Sequence, residues 1–128
     1  MSTYSTSVLI VDDNHISLDL LNGILSTLGY ANVKRLREGN MALASYQEEK
    51  PEVIFLDINM PQKSGLEILQ EIHAVEPKAF VVMVSGESSA ANIQKSLALG
   101  AQGFVVKPYS AARIKDVLDK YQKQSGPR

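Results

Sequence analysis

The sequence predicts an α/β fold in three layers: a doubly wound, five-stranded parallel sheet with five helices on its two faces. Three observations predict it. Short, continuous, β-rich apolar runs recur along the chain. Apolar residues at helical spacing fill the stretches between them, and the two kinds of segment alternate to the end. Four of the runs also stop on a polar or charged residue. Val8-Leu9-Ile10-Val11 meets Asp12-Asp13, Val53-Ile54-Phe55-Leu56 meets Asp57, Phe80-Val81-Val82-Met83-Val84 meets Ser85, and Phe104-Val105-Val106 meets Lys107.

Each intervening segment reads in turn. Ile16, Leu20, Ile24 and Leu28 at steps of four, with Leu21 and Leu25 beside them, predict one apolar helix face closed by Gly29. Val33–Leu36 is a weaker strand of alternating character, suited to a sheet edge. Asn40 is the expected cap of a helix running through Glu49 and ended by Pro51. Leu66, Leu69 and Ile72 form a helix face that stops before Pro77. Ser88 or Ser89 caps a helix carrying Ile93 and Leu97 and closed by Gly100. Ser110 caps the last helix, where Ile114, Val117, Leu118 and Tyr121 make the stripe.

The 128 residues fit one domain, and 45% hydrophobic against 21% charged residues describe an ordinary globular protein. Residues 1–6 are expected to be a flexible arm, 7–123 the domain and 124–128 a flexible tail. Thirteen Lys+Arg against fourteen Asp+Glu leave a net charge of -1, so no basic excess points to nucleic acid or to anionic lipid. The absence of cysteine removes disulfides and thiolate metal sites, and a cytoplasmic setting is expected. No apolar stretch approaches the ~18 residues of a membrane helix.

In an open parallel sheet, ligands bind beyond the carboxyl ends of the strands. Asp12, Asp13, Asp57, Ser85 and Lys107, distant in sequence, are therefore expected on one rim. Three close carboxylates repel one another unless a cation compensates, and magnesium favours hard oxygen ligands. Read alone, Asp12-Asp13 also fits a helix cap or a solvated turn; the partners at other strand ends favour the cation site. Asp57 has a second capacity, since a carboxylate can act as nucleophile and form an acyl phosphate. Gly65 supplies a close approach that a side chain would forbid. Lys107-Pro108 puts an ammonium beside the carboxylates, with Asp57 as its expected partner, and a proline that admits a cis bond. Ser85-Gly86 adds a hydroxyl donor and room for a phosphoryl oxygen.

Val11-Asp12-Asp13, Asp57-Ile58-Asn59-Met60-Pro61 with Gly65, Ser85-Gly86, and Lys107-Pro108-Tyr109, in this order, resemble the receiver domain of two-component response regulators, especially the stand-alone chemotaxis type. The resemblance covers Val8 to about Tyr121. It implies a flavodoxin-like strand order of 2-1-3-4-5, a property well known for such receivers and not read from this sequence. It implies Asp57 as phosphoacceptor, with Mg2+ held by Asp12 or Asp13, or both, directly or through water, together with Asp57 and the Asn59 main-chain carbonyl. Lys107 and Ser85 would each bind a phosphoryl oxygen, with Gly86 and Pro108 in the same pocket. Phe104 holds the aromatic switch position that rotates inward after Ser85 moves, and Asn59 and Glu87 sit where dephosphorylation is tuned.

The implied partners are a sensor histidine kinase or phosphotransfer protein and a downstream protein effector. Contact is expected on the helix at 89–99, the strand at 104–107 and the helix at 110–121, with Gln94, Lys95, Gln102 and Val105 as candidates. A homodimer through the same face is the other expected exit, and neither nucleic acid nor membrane is a partner. Catalysis would be limited to self-phosphorylation from a donor and slow self-dephosphorylation. The chain departs from the pattern at Phe104, where Tyr is frequent, and at Ser64, where an acidic residue often precedes the glycine. His15 lies where variation is wide and is a minor candidate for a further metal ligand; His73 reads as a solvated surface histidine.

Three rivals stand beside this reading. A phosphohydrolase of the haloacid dehalogenase type wants a second Asp two residues after its nucleophile, where this chain has Asn59, and places that nucleophile near the first strand. A flavin-binding flavodoxin needs a hydroxyl- and Gly-rich phosphate loop where Asp12-Asp13-Asn14 stands. A receiver-like module that binds partners without phosphorylation is the third.

Overall fold

The structure, a computed structural model, describes residues 4–61, 63–86 and 90–125. Ten elements alternate: β1 (Val8–Val11), α1 (His15–Thr27), β2 (Val33–Leu36), α2 (Ala42–Glu49), β3 (Val53–Asp57), α3 (Gly65–Val75), β4 (Phe80–Ser85), α4 (Ala90–Ala98), β5 (Gly103–Val106) and α5 (Ala111–Ser125). All strand pairings are parallel and the order is β2-β1-β3-β4-β5. This is the flavodoxin-like order that the resemblance implied.

The alternation of side chains along each strand splits the core in two. Leu9, Val11, Ile54, Leu56, Val81, Met83 and Phe104 face α2, α3 and the partly buried Ile93 of α4. Val8, Ile10, Val53, Phe55, Val82, Val84 and Val105 face Leu18, Leu21 and Leu25 of α1 and Ile114, Val117 and Leu118 of α5. Each fully buried Leu, Ile or Phe removes enough apolar surface to contribute about 1.5–3 kcal/mol. Both faces are covered, which is why β1, β3 and β4 are buried along their whole length and read as unbroken apolar runs. β2 is half exposed, as an edge strand must be.

Several expectations need correction. Ile16 and Leu20 do not join the buried face of α1; they are 67% and 50% exposed. Leu97 of α4 is likewise exposed, and the buried residue of that helix is Ser96. Asn40 is not a helix cap: it lies inside a 3-10 turn, Gly39–Met41, that leads into α2. The arm is not free from Tyr4 onward. Tyr4 stacks on Tyr30 at 4.3 Å and pairs with it as an isolated bridge, and buried Thr6 accepts from Gln122 at 2.9 Å. At the other end, α5 runs through Ser125. His73 is partly buried rather than solvated, its ring packed on Gly100, where a Cβ would come within 2.1 Å of it. The caps expected at Ser88 or Ser89, and Glu87, lie outside the described residues.

Candidate functional site

The carboxyl ends of β1 and β3 carry Asp12 and Asp57 into adjacent positions, because β1 and β3 pair in register, Val11 against Leu56. Asp13 follows and is the most exposed of the three. One carboxylate oxygen from each of Asp12, Asp13 and Asp57 lies within 4.8 Å of the others. Asp12 and Asp57 are buried, Asp57 with 4% of its surface exposed. His15 is exposed and belongs to no such cluster.

Lys107 leans into this cluster from the end of β5. Its backbone N–H donates to the Ser85 carbonyl at 2.8 Å, which staples the end of β5 to the end of β4. Its Nζ donates to Asp12 Oδ2 at 2.8 Å and stands 3.8 Å from Asp57 Oδ2. Asp57 was the expected partner; Asp12 is the closer one. Burial raises the Asp57 carboxyl to about 7, and the neighbouring Asp12 adds to the rise, while Lys107 and the Asn59 backbone N–H pull it down. Asp12 also accepts from the Asn14 backbone N–H at 3.0 Å, and Asn14 in turn caps α1 through its side chain.

The remaining residues sort cleanly. Ser85 is fully buried at the end of β4, one residue beyond the Val84 that registers with Asp57. The bond between Lys107 and Pro108 is cis. Asn59 is exposed at the mouth, between buried Ile58 and Met60. Gly65 must be glycine here, since a Cβ would sit 2.1 Å from the Asp57 carbonyl oxygen. Gly86 is different: a Cβ there meets nothing within 4 Å, so its bareness is not demanded by this conformation. Phe104 already lies inward, buried among the α2, α3 and α4 side of the core. Val105, offered as a surface contact, is only 1% exposed, because alternation turns it toward α5; Val106 is the exposed neighbour.

Two features went unread in the sequence. Tyr109 sits close enough to the acidic pair that its phenol is pushed well above the ordinary range, by burial first and then by Asp12 and Asp57. Its signal in the sequence is the aromatic that follows Lys107-Pro108. Ser64, in place of an acidic residue, makes a capping box. Its Oγ accepts from the Leu66 N–H at 3.1 Å, and Glu67 Oε1 accepts from the Ser64 N–H at 3.2 Å. The spacing Ser64-x-x-Glu67 was there to find.

Comparisons with known proteins agree with this geometry. The family model of the response regulator receiver domain matches residues 8–119. The chain is similar to the chemotaxis protein CheY of Thermotoga maritima, 32% identical over 116 residues, covering 91% of this chain and 97% of that one. Among solved structures it is similar to CheY4 of Vibrio cholerae, at 28% identity and a TM-score of 0.84, covering 93% of this chain and all of the other. It is similar also to the CheY of Borrelia burgdorferi in a complex with CheX, BeF3 and Mg2+, at 27% identity and a TM-score of 0.85, over 90% and 87% of the two chains. Receiver domains are signalling switches of two-component systems rather than classical enzymes. The chain belongs to the family of response regulator receiver domains, and within it to the CheY-like kind.

Proposed function

We propose that this receiver is switched by phosphorylation of Asp57, with a sensor histidine kinase, a phosphotransfer protein or a small phosphodonor as the source. One observation carries the reading: a buried carboxylate at a strand end, held beside a second carboxylate and within 3.8 Å of an ammonium. In the transfer, an Asp57 carboxylate oxygen forms a bond to phosphorus, and the bond from phosphorus to the donor breaks with its electron pair leaving on the donor. The donor set fits magnesium, being made of three hard carboxylate oxygens within 4.8 Å of one another, with Asp57 raised by burial first and by the charge of Asp12 next. Asp12, Asp13 and Asp57, with the Asn59 main-chain carbonyl, would hold it, and when bound it supplies neutralisation of the charge on the transferring group.

The chain's own groups do the rest. Lys107 donates to one phosphoryl oxygen and Ser85 to another, with Gly86 and Pro108 shaping the space around them. Asn59 at the mouth, and Glu87, govern access of water and so the lifetime of the acyl phosphate. Moving a switch from 1:99 to 99:1 takes about 5.5 kcal/mol of preference. Hydrogen bonds to charged groups contribute roughly 1.5–3 kcal/mol each. Lys107 is already bonded to Asp12, so its share is a redirection rather than a gain, and the shift falls short of that full range.

Ser85 and Phe104 pass the change to the face built from α4, β5 and α5. Gln94, Lys95, Gln102 and Val106 are the contacts offered there to a protein effector or to a second copy. The Borrelia burgdorferi relative, in a complex with CheX, BeF3 and Mg2+, supports the reading. Mass spectrometry after incubation with acetyl phosphate tests it. The wild type gains one phosphoryl group only with magnesium, and Asp57→Asn gains none. An undiminished gain in Asp57→Asn moves the acceptor elsewhere, and no gain in either leaves the partner-binding module that works without phosphorylation.

A further inference from the structure

β5 is an edge strand: the sheet order places β4 on one side of it and, among the described residues, no strand on the other. An edge strand presents unpaired backbone groups that another strand can use, and natural sheets protect such edges with charged side chains or covering elements. The two edges of this sheet are unequal. β2 carries its own charges, Lys34 and Arg35, each exposed and paired to Glu49 and Asp19. β5 reads Gly103-Phe104-Val105-Val106, without a charge and rich in β-forming residues, the composition most prone to pair with a copy of itself.

Two cations from α5 reach around to that edge. Arg113 Nη2 donates to the Phe104 carbonyl at 2.8 Å, and Lys120 Nζ donates to the Gln102 carbonyl at 2.7 Å. Phe104 lies within β5, and Gln102 stands immediately before that strand, with its own N–H donating to the Val81 carbonyl of β4 at 2.8 Å. The donors are seven apart, about two helical turns, and so lie on one face of α5. Lys107 N–H, bonded to Ser85, fixes the parity that turns the Phe104 carbonyl outward. Fixing a long cationic side chain on a carbonyl costs rotamer entropy. Neither Arg113 nor Lys120 enters a carboxylate ion pair among the described residues, whereas Lys115 of the same helix pairs with Asp119.

We propose that Arg113 and Lys120 are edge guards that close β5 against strand addition by a second copy of this chain. Association through the face of α4, β5 and α5 then runs through side chains, and the backbone of β5 takes no part in it. The occupant kept out is β5 itself, since its short uncharged run is the nearest matching partner at any concentration of the protein.

The test compares unphosphorylated wild type, Arg113→Gln/Lys120→Gln and a control, Lys115→Gln, by sedimentation velocity over a range of loadings, with hydrogen exchange of residues 103–106. Wild type and control sediment as the 14.0 kDa monomer at every loading. The double variant moves toward dimer mass as loading rises, and its β5 amides exchange about tenfold more slowly in the associated form. Lys120 is exposed, so Lys120→Gln alone carries the test at the Gln102 end if the double variant does not fold. A double variant, or that single one, that stays monomeric with wild-type exchange overturns the proposal. So does a Lys115→Gln control that associates equally, or a wild type that already dimerises with its β5 amides protected.

Discussion

Asp57 holds its place at an electrostatic cost. Its carboxyl moves from 3.8 to about 7 on folding, mainly through burial. Between those pH values the folded chain holds a proton that the unfolded chain has released, so metal-free stability falls as pH rises through that window and levels off above it. At about 1.36 kcal/mol per unit, the cost above pH 7 is on the order of 4 kcal/mol. Asp57→Asn is therefore expected to melt higher than wild type at pH 8 without magnesium, with the gap closing toward pH 4. Magnesium raises the wild-type melting temperature more at pH 8 than at pH 5, because its ligand must be ionised. Thermal melts at the two pH values, with and without the ion, check both statements. The two glycines of the pocket predict a contrast of their own. Gly65→Ala drives a methyl into the Asp57 carbonyl and costs about 3 kcal/mol, with weaker magnesium binding, whereas Gly86→Ala stays within about 0.5 kcal/mol.

Among the elements, strands were legible and helix faces less so. A strand buried on both sides announces itself by composition alone, and β1, β3 and β4 did so. The stripe at Ile16, Leu20, Ile24 and Leu28 misled because a helix turns about 100° per residue, so each step of four drifts about 40°. The buried face of α1 is instead Leu18, Leu21 and Leu25, at spacings of three and four. Ser96, a hydroxyl fully buried and without a partner among the described residues, shows the same problem in α4, where Leu97 looked like the anchor. Among the caps, Ser110 was legible and accepts from the Arg113 N–H at 3.3 Å, whereas the Ser64-x-x-Glu67 box was not. Ser64→Ala is expected to cost about 1 kcal/mol through loss of the α3 cap, with Ser64→Asp close to wild type, as chemical denaturation would report.

At the scale of the whole molecule, four strand-end motifs far apart in sequence converge because parallel order puts every carboxyl end on one rim. That much of the site followed from the sequence: Asp12, Asp13, Asp57 and Lys107 meet as expected. What did not follow was set by three-dimensional competition, namely the choice of Asp12 over Asp57 by Lys107, the inward Phe104 and the reach of α5 around β5. The central claim is that the phosphoryl group lands on Asp57 and on no other residue. An aspartyl phosphate is reduced by borohydride to homoserine, so peptide mapping after acetyl phosphate, magnesium and borohydride reads the position directly. Homoserine at position 57, dependent on magnesium, is the predicted result; homoserine at 12 or 13, or at no position, would contradict it.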